Sequence, residues 1–129
     1  MAQSDLIKLI IVDDHTLVRQ GLRSLLDELP DIQIIAEAQD GKQLIQILKN
    51  GIRPDIILLD LDMPNMNGIE ATELIHKEFF GIKIIMLTMV NDREQIQKSI
   101  AAGAKAYIYK NVNMTELHDA ILKVMSGQN

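Results

Sequence analysis

The sequence predicts an α/β protein, a doubly wound five-stranded parallel sheet with helices on both faces. Two observations carry this. Short runs of Ile, Val and Leu alternate with amphipathic stretches five times along the chain. The runs are continuously apolar rather than alternating, as strands covered on both faces are.

The elements follow in order. Ile7–Val12 reads as the first strand. Val18, Leu22, Leu25, Leu26 and Leu29 then form a stripe at helical spacing, which Pro30 and Asp31 end. Gln33–Ala38 is the second strand; Leu44, Ile45 and Leu48 mark the second helix, closed by Asn50-Gly51. Pro54 introduces the third strand, Ile56–Leu59, and Ala71, Leu74, Ile75 and Phe79 line the next helix. Ile82–Leu87 is the fourth strand, and Ile96 and Ile100 give a thin fourth stripe. Ala106–Tyr109 is the fifth strand, followed by Met114, Leu117, Ile121 and Val124. Three helices open with Asn followed three residues later by Glu: Asn67 and Glu70, Asn91 and Glu94, Asn113 and Glu116. In each pair the Asn can cap a free N–H while the Glu reaches back. Gly103 and Gly127 sit where left-handed helix endings are wanted.

Composition narrows the function. The 129 residues, 47% hydrophobic and 24% charged, fit one domain with a real core. The absence of cysteine excludes disulfide scaffolds, thiolate zinc sites, iron–sulfur clusters and thiol nucleophiles. A net charge of -5 argues against a general electrostatic grip on nucleic acid or an anionic membrane. No Trp and only 2 Tyr and 2 Phe leave little to stack on bases or a flavin ring. No signal peptide and no membrane span is visible, so a cytoplasmic protein is expected.

In doubly wound sheets, ligands bind beyond the carboxyl ends of the strands. Asp13 and Asp14 follow the first strand, Asp60 ends the third, Thr88 follows the fourth and Lys110 the fifth. Taken singly, the Asp pair could cap a helix, Thr88 could serve a turn, and Lys110 could be a solvated charge. Together they place three carboxylates, a hydroxyl and an amine on one rim. Close carboxylates call for a cation, and with no clustered His or Cys the sensible ion is Mg²⁺. Lys110 and Thr88 suit phosphoryl oxygens, and a carboxylate can itself be the phosphoryl acceptor.

The stretches VDDHTLVRQGL, DIILLDLDMPNMNGIEAT, IIMLTMVND and AGAKAYIYK resemble the motifs of the response-regulator receiver domain of bacterial two-component systems, in order and across essentially the whole chain. DDHTLVRQGL and ILKVMSGQ are particularly similar to NarL/LuxR-type transcription regulators. The resemblance implies a flavodoxin-like fold with strand order 2-1-3-4-5, residues 1–129 being one receiver domain. It implies that Asp60 is the phosphoacceptor, served by a sensor histidine kinase. Asp14, Asp60 and the backbone carbonyl of Asp62 would ligate Mg²⁺, with Asp13 helping through water. Thr88 and Lys110 would contact the phosphoryl group, and Tyr107 would be the rotating aromatic of the switch. DNA would be reached only through a separate effector domain, absent from this chain. Catalysis would be limited to the protein's own phosphorylation and dephosphorylation. The sequence departs from the family at Asn111, where many receivers have proline, at Asp62, an added acid, and at Met89, where small residues are usual.

Other readings stand beside this one. Asp60-Leu61-Asp62 looks like the Asp-x-Asp of haloacid-dehalogenase-type phosphatases, but there the motif follows the first strand. A flavin carrier of similar fold is disfavoured by the few aromatics. His15 is expected to start a helix, and His76 and His118 to face solvent. Leu122 and Met125 form a second apolar line on the last helix, read either as extended packing or as a homodimer or domain contact. Met89 is expected either to overhang the site or to fold onto the fourth helix.

Overall fold

A computed structural model describes residues 6–89 and 92–127. The order is β1 (Ile7–Val12), α1 (Thr16–Asp27), β2 (Ile32–Ala38), α2 (Gly41–Lys49), β3 (Ile56–Asp60), α3 (Gly68–Glu78), β4 (Lys83–Thr88), α4 (Arg93–Ala102), β5 (Ala106–Tyr109) and α5 (Met114–Met125). The strands form one parallel sheet in the order β2-β1-β3-β4-β5, the doubly wound arrangement the sequence predicts.

Alternate residues of the inner strands feed two cores. Leu9, Ile11, Ile56, Leu58, Ile85 and Leu87 pack with Leu22 and Leu26 of α1 and Leu117, Ile121 and Val124 of α5. Ile10, Val12, Ile57, Leu59, Ile84 and Met86 pack with Leu44 and Leu48 of α2 and Ala71 and Ile75 of α3. Each fully buried Leu or Ile is worth about 1.5–3 kcal/mol over leaving it exposed. That two-sided burial leaves the strand ends, where the apolar runs stop, to carry the polar groups.

The expected strand boundaries move by about one residue. β2 starts at Ile32, β3 takes in Asp60, and β4 runs from Lys83 to Thr88. α1 stops at Asp27, short of Leu29 and Pro30. Asn67 with Glu70 and Asn113 with Glu116 form complete capping boxes. Asn91 lies outside the described residues; α4 is capped by Asp92, which accepts from the N–H groups of Glu94 and Gln95. The stripe expected on α4 is not its buried face: Ser99 and Ala102 are buried, while Ile96 is half-buried and Ile100 exposed. β5 is not covered on both faces, because it is the sheet edge. Leu122 is exposed and Met125 joins the α1–α5 core, so the second line on α5 is split. Among the described residues no helix is long and apolar enough to cross a membrane.

Candidate phosphoacceptor site

Parallel pairing aligns the strand ends at one edge of the sheet. Asp60 pairs with Leu87, and Thr88 pairs with Tyr109, which immediately precedes Lys110. Main-chain bonds extend the alignment past the strands: Leu61 N–H donates to Leu87 O at 2.9 Å, and Lys110 N–H to Thr88 O at 2.9 Å. Asp13 N–H donates to Ala38 O at 3.1 Å. The loop after β3 folds back tightly, with Gly68 N–H on Leu61 O at 2.9 Å. A Cβ at position 68 would lie 2.5 Å from the carbonyl oxygen of Asp60, so only glycine fits there.

At this edge Asp13 and Asp60 are buried carboxylates, and the Lys110 side chain is only 7% exposed. Lys110 Nζ lies 2.9 Å from Asp13 Oδ2 and 3.0 Å from Asp60 Oδ1. The former contact is an ion pair outside hydrogen-bond geometry. Asp62 N–H donates to Asp60 Oδ1 at 3.2 Å. Burial pushes the Asp60 carboxyl up to about 6, with the Asp13 charge adding to the rise; Lys110 and the Asp62 N–H oppose it. Burial works against the Lys110 charge too, but the attraction of the Asp13 and Asp60 carboxylates prevails and holds the ammonium above its ordinary value.

Asp14 is more open than the other two acids, its side chain 31% exposed. The Asp pair does not cap α1, whose N-cap is His15 with no side-chain cap bond. Instead His15 N–H donates to Asp13 Oδ1 at 2.8 Å, and the His15 ring Nδ1 lies 3.2 Å from Asp13 Oδ1 and 3.1 Å from Asp14 Oδ1. His15 therefore starts the helix as expected and also bridges the two acids.

The donor set fits Mg²⁺. Carboxylate oxygens of Asp13, Asp14 and Asp60 cluster with a His15 nitrogen within 4.8 Å of one another. Asp60 Oδ2 is buried with no hydrogen-bond partner among the described residues. Three carboxylates against one ammonium leave an excess of negative charge suited to a hard divalent cation.

Thr88 is buried at the end of β4. Tyr107 pairs with Met86, two positions back from the Thr88–Tyr109 pair, so all four side chains share one face of the sheet. The Tyr107 ring is 40% exposed and stands edge-on to Tyr109, with centroids 6.3 Å apart. The site thus brings Asp13, Asp14, Asp60 and Lys110 together, holds Asp62 by its N–H, and keeps Tyr107 outside. Met89 is 73% exposed and does not fold onto α4. The Asp60-Leu61-Asp62 motif closes β3 rather than β1, unlike the phosphatase pattern.

Two partners escaped the sequence reading. Arg19 donates from NH1 to Asp13 O at 2.6 Å, an acceptor with no side-chain signature. His118 is half-buried rather than fully solvent-facing: its Nε2 is 2.9 Å from Asp31 Oδ2, across 87 residues of sequence. His76 is exposed, but its ring is packed under Gly103.

Residues 9–122 match the family described as the response regulator receiver domain. The transcriptional regulatory protein LiaR of Bacillus subtilis is 40% identical over 123 residues, covering 95% of this chain and 58% of LiaR. A LuxR-family two-component response regulator from Aurantimonas sp. SI85-9A1 is 32% identical, with a TM-score of 0.89 over 96% of this chain and 88% of that one. The isolated receiver domain of RcsB from Salmonella enterica serovar Typhimurium, solved in the presence of the phosphomimetic BeF3⁻, is 26% identical, with a TM-score of 0.87 over 96% of this chain and 91% of that one. This chain spans about 58% of the length of the curated relatives it matches. With its sheet order, its acidic strand ends and its paired lysine, the chain belongs to the response-regulator receiver domain family, and its relatives are of the NarL/LuxR type.

Proposed function

We propose that this receiver is a phosphorylation-controlled switch in which Asp60 accepts a phosphoryl group from the phosphohistidine of a sensor histidine kinase. The observation that carries the reading is Asp60 itself: a buried carboxylate at the end of β3, one oxygen held by Lys110 and the other without a hydrogen bond among the described residues. An oxygen of Asp60 attacks phosphorus in line, the P–N bond breaks with its electron pair returning to the histidine ring, and a P–O bond forms. Lys110 Nζ, already 3.0 Å from Asp60, then meets a phosphoryl oxygen, and the Thr88 hydroxyl serves another. Asp13, Asp14, Asp60 and the backbone carbonyl of Asp62 would hold Mg²⁺, with Asp13 acting through water. When bound, the ion supplies positive charge against the phosphoryl oxygens. Burial makes Asp60 more basic than an ordinary carboxylate, while the Lys110 ammonium favours its ionised, nucleophilic form.

The output is a population shift. Thr88 moves toward the phosphoryl group and Tyr107, on the same face of the sheet, turns inward. Residues 1–129 form the receiver domain, and a separate effector domain would reach DNA in the cytoplasm. The chain's catalysis is confined to its own phosphorylation and dephosphorylation. A homodimer through α5 is the further reading of the exposed Leu122. The RcsB receiver's solution with a phosphomimetic supports the same chemistry here.

Intact mass measured after incubation with acetyl phosphate and Mg²⁺ tests the acceptor. The wild type should gain one phosphoryl group and Asp60→Asn should lose the main adduct. Equal labelling of the two would remove Asp60 from the role.

A further inference from the structure

We propose that Arg19 is a positioning residue for the divalent-cation site: anchored by Glu37, it holds the main-chain carbonyl of Asp13 so that the Asp13 and Asp14 carboxylates stay turned toward Asp60. This rests on the reading of Asp13, Asp14 and Asp60 as cation ligands. It goes beyond that reading by adding two residues that touch neither cation nor phosphoryl group.

Asp13 is held from four directions. Its N–H donates to Ala38 O at 3.1 Å, and its Oδ1 accepts from the His15 N–H at 2.8 Å. Its Oδ2 faces Lys110 at 2.9 Å, and its carbonyl accepts from Arg19 NH1 at 2.6 Å. The last bond fixes the carbonyl of the peptide joining the buried Asp13 to the more open Asp14. A rotation of that peptide plane would re-aim Asp14 against Asp60. A guanidinium is a strong donor for this task, because its charge shortens the bond and its planarity fixes direction.

Arg19 is built for the purpose rather than left there by chance. Its side chain is only 12% exposed, and a charge so covered needs a partner. Glu37 of β2 supplies it, with Oε1 3.4 Å from Arg19 Nε. Glu37 is in turn gripped through Oε2 by Arg23 NH1, one turn further along α1. Arg23 shares Glu37, and its ion-pair partners among the described residues are Glu37 and Asp27, not Asp13, so it serves as the internal control. Groups that orient metal ligands commonly change affinity about 10–100-fold when removed.

Mg²⁺ titration calorimetry on the full chain, paired with melting of the metal-free protein, tests this. Arg19→Gln should weaken Mg²⁺ binding about tenfold. Arg23→Gln should stay within about twofold of wild type while lowering the metal-free melting temperature at least as much. Arg19→Lys, with one donor in place of a fork, should rescue binding in part. Glu37→Gln should weaken binding less than Arg19→Gln does. Wild-type affinity in Arg19→Gln beside loss of binding in Asp14→Asn overturns the proposal. So does equal weakening in Arg19→Gln and Arg23→Gln, which would make the cluster a plain helix–sheet clamp. If Asp14→Asn also binds Mg²⁺ like wild type, the cation-site reading falls, and the role of Arg19 with it.

Discussion

β3 and β5 hydrogen-bond to opposite edges of β4, and their side chains live in different surroundings. Every residue of β3 is buried, from Ile56 to Asp60. In β5 none is, and Tyr107 stands 40% exposed. A central strand between two cores fixes whatever polar group ends it. An edge strand leaves a side chain room to move at small cost. The proposed acceptor carboxylate, Asp60, sits on the first kind of strand, and the proposed moving ring, Tyr107, on the second. The lesson is that the proposed chemistry and the proposed signalling fall on elements of different stiffness, with β4 between them.

The contrast is broken or upheld most directly by truncation. Leu58→Ala, in the middle of β3, should cost about 3–5 kcal/mol, because its side chain is fully buried in the core between the sheet and α1 and α5 and a cavity remains. Ile108→Ala, half-buried on β5, should cost about 1–2 kcal/mol. Urea midpoints of the two variants measure this. Equal losses would mean that β5 is as tightly held as β3.

The end of β3 is predicted to carry a cost for function. In metal-free protein, Asp60→Asn should raise stability by about 1–2 kcal/mol, since it removes a buried charge lying beside Asp13 while Lys110 keeps Asp13 as a partner. Asp14→Ala should change it by no more than about 0.5 kcal/mol, because Asp14 is more open to water. Calorimetric melting in a chelator checks both. A lower melting temperature for Asp60→Asn would make the ion pair with Lys110 a net stabiliser.

Thr88 ends β4, the strand between the two, and is the proposed link between them. Thr88→Ala should still take a phosphoryl group on Asp60 but should lose about 1–2 kcal/mol of the coupling to Tyr107. With no Trp and 2 Tyr in the chain, both on β5, tyrosine emission and its quenching by iodide report that strand directly. A wild-type change in quenching on phosphorylation of Thr88→Ala would place the coupling elsewhere.

The sheet and the acidic edge were legible because their signals are local. IILLD announces a buried strand that ends in a charge, and the fold rule says where that charge must lie. What was not legible depends on distance or on backbone. Arg19 acts on a carbonyl, which every residue has, so no spacing reveals it. His118 finds Asp31 from the far side of the chain, with nothing nearby to predict the pair. The burial of Ser99 in place of Ile100 follows from how α4 lies against its neighbours, and a helix this weakly patterned does not declare its inner face. Asp92 caps α4, and helix starts are ordinarily uncertain by a residue or two.

The smallest effect expected concerns how the loop after β3 is tied down. Asn65, in a left-handed conformation with φ of 69°, donates from its side chain to Asp40 Oδ2 at 2.9 Å. Asp40 is the N-cap of α2 and accepts from Gln43 N–H at 2.9 Å. The loop after β5 is tied differently, by the Lys110 ammonium on Asp13 and Asp60 and by the Asn113 side chain, which accepts from Glu116 N–H. The Gln43 N–H first, and then the Asn65 amide, hold the Asp40 carboxyl below its ordinary value. A carboxyl lowered in this way favours the folded state fully above the unfolded value of about 3.9, and loses that contribution as pH falls through its lower folded value. The group is well solvated, so the contribution should be about 0.5 kcal/mol or less. Asp40→Asn keeps a good cap and removes only the charge. Urea midpoints of the two proteins should therefore differ slightly at pH 6 and converge toward pH 3. A gap that stays constant over that range would mean that the charge on Asp40 does nothing for the loop, and that the tie to Asn65 is held by shape alone.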